Sequence, residues 1–223
     1  MKQRMSPNFK EKLNRFTSAL KKNKTRITIT DFGAGSKKLG NTRTVSQIYR
    51  TSSSGKKYGR LLYALAAHTQ AKNILELGTS LGLGAVMMAE AQPSAKITTI
   101  EGCKATFNKA QETFSVFEKE NQIKGINASF FDFLKTDQTV YDLVFIDGDH
   151  RAESLFKQLL ALEKNTHAET LIVLDDIRWS KDMCEAWEQI RKQKRYHLTL
   201  DYFRMGVIMQ RPHQVKEHFT LRF

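Results

Sequence analysis

Three aspartates at the ends of two apolar runs are the residues of this 223-residue chain best placed to do chemistry. Asp147 closes the run in residues 144–151 (VFIDGDHR), and Asp175 and Asp176 close the run in residues 172–180 (IVLDDIRWS). If those runs are neighbouring strands, the three carboxylates gather at one rim. Like charges about 4 Å apart repel by roughly 4 kcal/mol at an effective dielectric near 20, so protonation, a basic side chain or a divalent cation must offset them. Hard oxygen donors without His or Cys suit Mg²⁺ or a similar ion, which keeps waters that a ligand can replace. A hydroxyl bound to such an ion loses its proton more readily. The plainer alternative is that Asp175 or Asp176 caps a helix. His150 has an unperturbed pKa near neutrality and is a candidate general base, and equally a structural hydrogen-bonding residue. Trp179 reads as a core tryptophan before a pocket wall, and Trp187 as core.

A second constellation lies upstream. In residues 74–84 (ILELGTSLGLG) an apolar strand runs into a loop with glycines at 78, 82 and 84, where a backbone without Cβ atoms can approach a ligand closely. Glu101 closes the next apolar run 23 residues after Gly78, close to the roughly 20-residue spacing at which a carboxylate meets a ribose in dinucleotide folds. No G-x-G-x-x-G follows. Residues 27–40 (ITITDFGAGSKKLG) also read as strand, acid and glycine loop, with Gly33 in the place of Gly78. No apolar helix opens there and no acidic strand end follows at the right distance, so this stretch reads as a loop.

The elements that would position these residues alternate. Short apolar runs at 73–77, 96–101, 127–131, 143–147 and 171–175 are separated by helix-like stretches at 83–91, 104–119, 153–163 and 181–192. Such alternation implies right-handed βαβ units and a parallel sheet covered on both faces. Two closing runs, 197–202 and 206–211, are joined too tightly for a helical crossover and read as an antiparallel pair at a sheet edge. The fold expected is an α/β, Rossmann-like, mostly parallel seven-stranded sheet with helices on both faces. Ahead of it, Phe9, Leu13, Phe16 and Leu20 recur at helical spacing. A short strand at 27–30, loops at 31–40 and 51–57 and an apolar helix at 58–68 follow. This divides the chain into a basic helical and loop extension, 1–57, and a ligand-binding domain, 58–223.

With Glu76 before the first glycine and the antiparallel pair at the end, these residues resemble motif I and the acidic loop of class I S-adenosylmethionine (SAM)-dependent methyltransferases, over roughly residues 58–210. The resemblance implies SAM as cofactor. It places Glu76 under the methionine moiety, the backbone of Gly78, Thr79, Ser80 and Gly82 along the cofactor, Glu101 with Gly102 at the ribose, and Phe131 and Asp132 at the adenine. Asp147 would border both cofactor and acceptor. The aspartate cluster is similar to that of metal-dependent O-methyltransferases, both the catechol type and the type acting on macrolide and aminocoumarin sugars. Asp176 stands where the catechol type usually has Asn, which favours the sugar-modifying group and leaves the substrate open. By the same resemblance Ser53, with Ser52, Ser54, Lys56, Lys57 and Tyr58, would border cofactor or substrate.

Charge supplies a second functional class. Residues 1–60 hold sixteen Lys/Arg against Glu11 and Asp31, a net +14, and the remainder carries −1. A segment so basic suits an anionic partner, or is a solvated arm. The primary reading is O-methylation of a small-molecule or sugar hydroxyl, assisted by a divalent cation. Methylation of tRNA or another RNA held by the basic segment, and a non-catalytic SAM-binding scaffold, are the alternatives. Aromatic residues for base stacking are sparse in that segment, limited to Phe9, Phe16, Phe32, Tyr49 and Tyr58. No apolar run is long enough to cross a bilayer and no leader opens the chain, so the expectation is a cytoplasmic protein. A homodimer is common in the families resembled. Cys103 and Cys184 read as buried free thiols.

Overall fold

The computed structural model describes residues 5–30, 42–52 and 55–222. The loop expected at 31–40 and the contact expected of Ser53 lie outside them. In chain order the elements are α1 (Pro7–Lys22), β1 (Arg26–Thr28), β2 (Thr42–Thr44), α2 (Val45–Ser52), α3 (Gly55–Thr69), β3 (Asn73–Leu77), α4 (Leu83–Ala91), β4 (Lys96–Glu101), α5 (Lys104–Val116), β5 (Ile123–Asn127), α6 (Phe130–Thr136), β6 (Tyr141–Ile146), α7 (Ala152–Ala161), β7 (Thr166–Leu174), α8 (Lys181–Lys192), β8 (Leu198–Asp201), β9 (Gly206–Met209) and β10 (Glu217–Thr220).

The large sheet has eight strands in the order β10-β8-β9-β7-β6-β3-β4-β5. From β7 to β5 all pairings are parallel, and β9 runs antiparallel to both β7 and β8. The seven-stranded expectation is corrected by one strand: β10 lies parallel to β8, with Glu217 opposite Leu198, and takes the edge. All four of its residues are exposed, so no apolar alternation announced it in the sequence.

Period-two alternation loads both faces, as parallel sheets require. Ile74, Phe145, Val173 and Val207 join one core, with Leu62 of α3, Met88 of α4 and Phe114 of α5. Leu75, Val144, Leu174 and Ile208 join the other, with Leu134 of α6, Leu159 of α7 and Trp187 of α8. Three helices start on a serine whose hydroxyl accepts the N–H three residues on: Ser6 from Phe9, Ser129 from Asp132 and Ser180 from Met183. Such caps satisfy one of the orphan donors at a helix start and contribute about 1 kcal/mol each.

Several boundaries differ from the sequence reading. The third parallel strand is residues 123–127 rather than 127–131, because Ser129 caps a short helix over the apolar Phe130–Phe133 stretch. Of the loop expected at 51–57, residues 51–52 end α2 and residues 55–57 open α3, while 53–54 lie outside the described residues. The first helix is tied to the core that holds Ile74 and Phe145: Phe9 and Phe16 meet Phe117 at ring-centroid distances of 5.6 and 5.3 Å. Leu20 packs with Val45, Ile48 and Tyr49 of α2 against Leu81. Among the described residues no helix is long and apolar enough to cross a membrane.

Candidate active site

Strand-end hydrogen bonds bring the motif residues to one rim. The Gly78 N–H donates to Ile100 O (3.0 Å), the Asp147 N–H to Leu77 O (2.8 Å) and the Asp175 N–H to Ile146 O (2.9 Å). Each bond continues a parallel ladder one step past the strand, so the carboxyl ends of β4, β3, β6 and β7 stand side by side. A cavity of about 630 Å³ opens over them, lined by Gly78, Ser80, Glu101, Gly102, Phe131, Asp147, His150 and Asp176 among others. Clefts outside the carboxyl ends of strands are where ligands bind in open α/β sheets.

The glycine loop is held by its contacts. Gly78 sits at φ +106°, and a Cβ there would lie 2.3 Å from Asp147 O, so neither the conformation nor the space admits a side chain. Gly82, at φ +80°, precedes α4 under the ring of Phe114, 2.7 Å from where its Cβ would be. Glu101 accepts the Ser80 N–H and the Cys103 N–H, both at 2.9 Å, which fixes its carboxylate at the cavity wall. A ribose-binding acid held this way suits the cofactor expected, as does the close backbone approach at Gly78.

Among the described residues, four of the expected cofactor contacts are absent from the cavity lining: Glu76, Thr79, Gly82 and Asp132. Strand alternation explains Glu76, which shares the face of Ile74 and points beneath α4. It accepts the Thr99 hydroxyl at 2.5 Å and the Ala85 N–H, and Thr99 in turn meets Thr79 Oγ1 at 2.5 Å. Burial, opposed by the Thr99 bond and reinforced by Glu101, pushes the Glu76 carboxyl up to about 8. Glu76 and Thr79 therefore brace the loop from below. Asp132 serves the start of α6, accepting the Ser129 hydroxyl at 2.6 Å, while Phe131 does reach the cavity.

The acidic end is arranged differently from the sequence expectation. Atoms of Asp147, His150 and Asp176 lie within 4.8 Å of one another, a set that could hold a cation. His150 Nε2 is 3.5 Å from Asp176 Oδ2 and 4.0 Å from Asp147 Oδ1. Asp175 is corrected out of the ligand set. Its buried carboxylate accepts Arg204 Nε at 2.9 Å and a terminal Arg204 nitrogen at 2.8 Å, and caps the Asp176 N–H at 2.8 Å. Arg204 Nε also lies 2.9 Å from Asp176 Oδ1. Burial first, then Asp175 and Asp176, raise the Asp147 carboxyl well above the usual range, with Arg204 opposing. Asp176 is raised by burial and Asp175, against Arg204 and His150. One guanidinium faces three carboxylates, so the cluster still favours a proton or a cation.

Arg204 is delivered by the turn between β8 and β9, which a separate buried node fixes. Arg178 makes two bonds to Asp201, at 2.9 and 2.7 Å, and the Trp187 indole donates to the same carboxylate at 2.9 Å. Nothing near Arg204 in the sequence marks it, since its partners lie 29 residues away in the chain. Trp179 is 61% exposed, so the core expectation fails for it while it holds for Trp187 at 1%. Trp179 lines the cavity, its ring centroid 6.0 Å from that of His150. The N-terminal segment also contributes a wall: Ile29 and Thr30 belong to the second glycine-containing stretch of the sequence, whereas Arg43, Ile48 and Thr51 carried no signal there. Cys103 is buried and Cys184 only half-buried, both as free thiols.

Residues 75–177 match the family model described as a methyltransferase domain. A tRNA1(Val) (adenine(37)-N6)-methyltransferase from Glaesserella parasuis serovar 5 (strain SH0165) is 33% identical over 97 residues, 44% of this chain and 40% of that relative. Among solved structures, a protein assigned as a caffeoyl-CoA O-methyltransferase from Staphylococcus aureus superposes with TM-score 0.65 at 18% identity, covering 74% of this chain and 88% of that one. The SAH-bound Podospora anserina methyltransferase PaMTH1 covers 93% of this chain and 99% of its own, with TM-score 0.64 at 17% identity. The chain shares its fold with these solved methyltransferases, and the segment that carries the site is the one that matches a methyltransferase domain. The matched segment holds the glycine loop, Glu101, Asp147 and Asp176 together.

Proposed function

We propose that the protein transfers the methyl group of SAM to a hydroxyl of a small molecule or sugar. The observation that carries this reading is the Asp147–His150–Asp176 group at the rim of the cavity that Glu101 and the glycine loop also line. SAM, when bound, supplies an electrophilic methyl on a sulfonium. Glu101 would orient it through the ribose and Gly78 would let it lie against the backbone. The acceptor hydroxyl then belongs beside Asp147 and His150, where its proton can pass to the imidazole. Asp176 holds that ring and would stabilise its charged form. Trp179 walls the acceptor side.

The donor set fits a divalent cation: two carboxylates and one imidazole, in a cluster whose negative charge Arg204 only partly offsets. A cation held by Asp147, His150 and Asp176 would polarise the hydroxyl in place of the base role of His150, since an imidazole bound to the ion cannot take the proton. Solved methyltransferases described as O-methyltransferases support the acceptor type by likeness of fold. An RNA acceptor is the second reading, favoured by the sequence match to the tRNA methyltransferase and by the basic segment that forms one cavity wall.

One experiment separates these readings. Tritiated methyl from SAM is incubated with the protein and extract, with and without EDTA, and label is scored in RNA and in small molecules. Label in small molecules that EDTA removes and Mg²⁺ restores is the expected result. Label confined to RNA, or label indifferent to EDTA, overturns the acceptor or the cation respectively.

A further inference from the structure

The basic N-terminal segment contributes a wall to the cavity, and one residue of that wall has an unmet requirement. Arg43 lines the cavity, and its Nε is buried without a hydrogen-bond partner among the described residues. A guanidinium carries five donors and no acceptor, and a buried donor left unpaired costs on the order of 1–3 kcal/mol, more when charged. The other arginines of the cavity are committed within the protein. Arg151 grips Asp149 with two bonds, of 2.5 and 2.6 Å, and Arg204 holds Asp175 and Asp176.

The placement of Arg43 follows from the elements around it. It lies on β2 opposite Ile27 of β1. The chain just past β1 is tied to the end of β4, since the Thr30 N–H donates to Cys103 Sγ at 3.4 Å and that thiol faces Thr28 O at 3.8 Å. The helix after β2 packs Val45, Ile48 and Tyr49 on Leu81 of the glycine loop. Arg43 therefore stands over the space between the glycine loop and the turn that carries Glu101. Asp147, His150 and Asp176 occupy a different part of the rim, where Phe130 packs on Gly148, and Phe131 lines the cavity with it. With the ribose on Glu101 and the sulfonium toward Asp147, the amino-acid group of the cofactor would be left to the remaining lining, which the N-terminal segment supplies with Thr30, Arg43 and Thr51.

We propose that Arg43 binds the carboxylate of the amino-acid group of SAM, so that the N-terminal segment completes the cofactor site. A planar guanidinium matches a carboxylate with two parallel hydrogen bonds, which a lysine cannot reproduce. The inference rests on the SAM-binding reading above and extends it to a residue outside the segment matched by the family model.

The test is calorimetry on the full chain with two ligands, S-adenosylhomocysteine and 5′-methylthioadenosine, the second lacking the amino-acid group. Arg43→Met is expected to weaken S-adenosylhomocysteine tenfold or more while leaving 5′-methylthioadenosine within twofold of the unmodified protein. Arg43→Lys should recover only part of the loss. The retained 5′-methylthioadenosine affinity also shows that the variant is folded. Unchanged S-adenosylhomocysteine affinity in Arg43→Met would overturn the proposal, as would an equal loss for both ligands, which marks a shaping role only. If the unmodified protein binds neither ligand, the cofactor reading itself fails, an outcome distinct from failure of Arg43 alone.

Discussion

The two ends of the cavity are built on different principles. At the cofactor end, backbone does the positioning: Gly78 lies against the Asp147 carbonyl, Glu101 is fixed by two N–H groups, and Glu76 and Thr79 brace the loop from within the core. At the acidic end, side-chain charge dominates, with Asp147, Asp175 and Asp176 crowded around one guanidinium from a distant turn. The first arrangement depends on local sequence and tolerates little change of shape. The second depends on charge balance, so its properties should change with substitution and pH while the fold persists. Burial and like charge together raise Asp147 and Asp176 at the acidic end, whereas burial alone is the main cause for Glu76 beneath the glycine loop.

The contrast can be broken most strongly at the acidic end. Asp147→Asn should lower methyl transfer from SAM by about 10²–10⁴-fold, the range of disabled proton transfer, because the acceptor hydroxyl and its path to His150 lie beside that carboxylate, while S-adenosylhomocysteine binding by calorimetry stays within a few fold. A comparable loss of both would place Asp147 with the cofactor contacts instead.

Gly78→Ala attacks the other end. Its Cβ would lie 2.3 Å from a backbone oxygen, at φ +106°, so the loop must shift. The expected cost is about 2–4 kcal/mol of stability by denaturant titration, with S-adenosylhomocysteine affinity lost alongside. Retention of full affinity would mean that the loop is not the cofactor contact.

Glu76→Gln tests the brace through pH. The folded carboxyl stays protonated up to about 8 against an ordinary 4.5, so unfolding releases its proton in that window. The unmodified protein therefore loses stability on this account as pH rises from about 5 to 8, at up to roughly 1.4 kcal/mol per unit. Gln keeps an oxygen for the Ala85 N–H and has no such slope. The variant should gain on the order of 3 kcal/mol relative to the parent between pH 5 and pH 8. Parallel pH profiles in urea titrations would show that Glu76 is ionised in the folded protein.

The smallest effect is expected at Arg178→Lys, which keeps the charge beside Asp201 but loses one of two parallel bonds. A loss of about 1 kcal/mol in stability is expected, with turnover reduced less than twofold if Arg204 stays in place. A large fall in turnover would show that the Asp201 node governs the acidic end directly.

Much of this was legible in the residues. The boundaries of β3, β4, α4 and α8 follow from apolar runs and caps alone, and Gly78, Ser80, Glu101, Gly102, Asp147 and Asp176 reach the cavity from positions at or just past strand ends, while Phe131 reaches it from α6. The misses have specific causes. Glu76 lies on a strand whose alternation turns it under α4, and its place in a motif obscured that. Asp132 was claimed by Ser129, a local cap competing with a ligand contact. Trp179 follows a strand end and faces the cavity, where hydrophobicity alone argued for burial.

The sequence by itself determined the parallel sheet, the glycine loop and the acids at the strand ends, because period and turn chemistry are local. Only the tertiary structure decided which acids remain available. Arg204 and Asp175 are brought together by the β8–β9 turn, and His150 is turned toward Asp147 and Asp176 by the loop after β6. The same holds for Arg43, which packing of β1 and α2 carries over the cofactor end. Charge balance in a buried cluster is a property of all the groups that face it, and the chain order of those groups carries no record of that meeting.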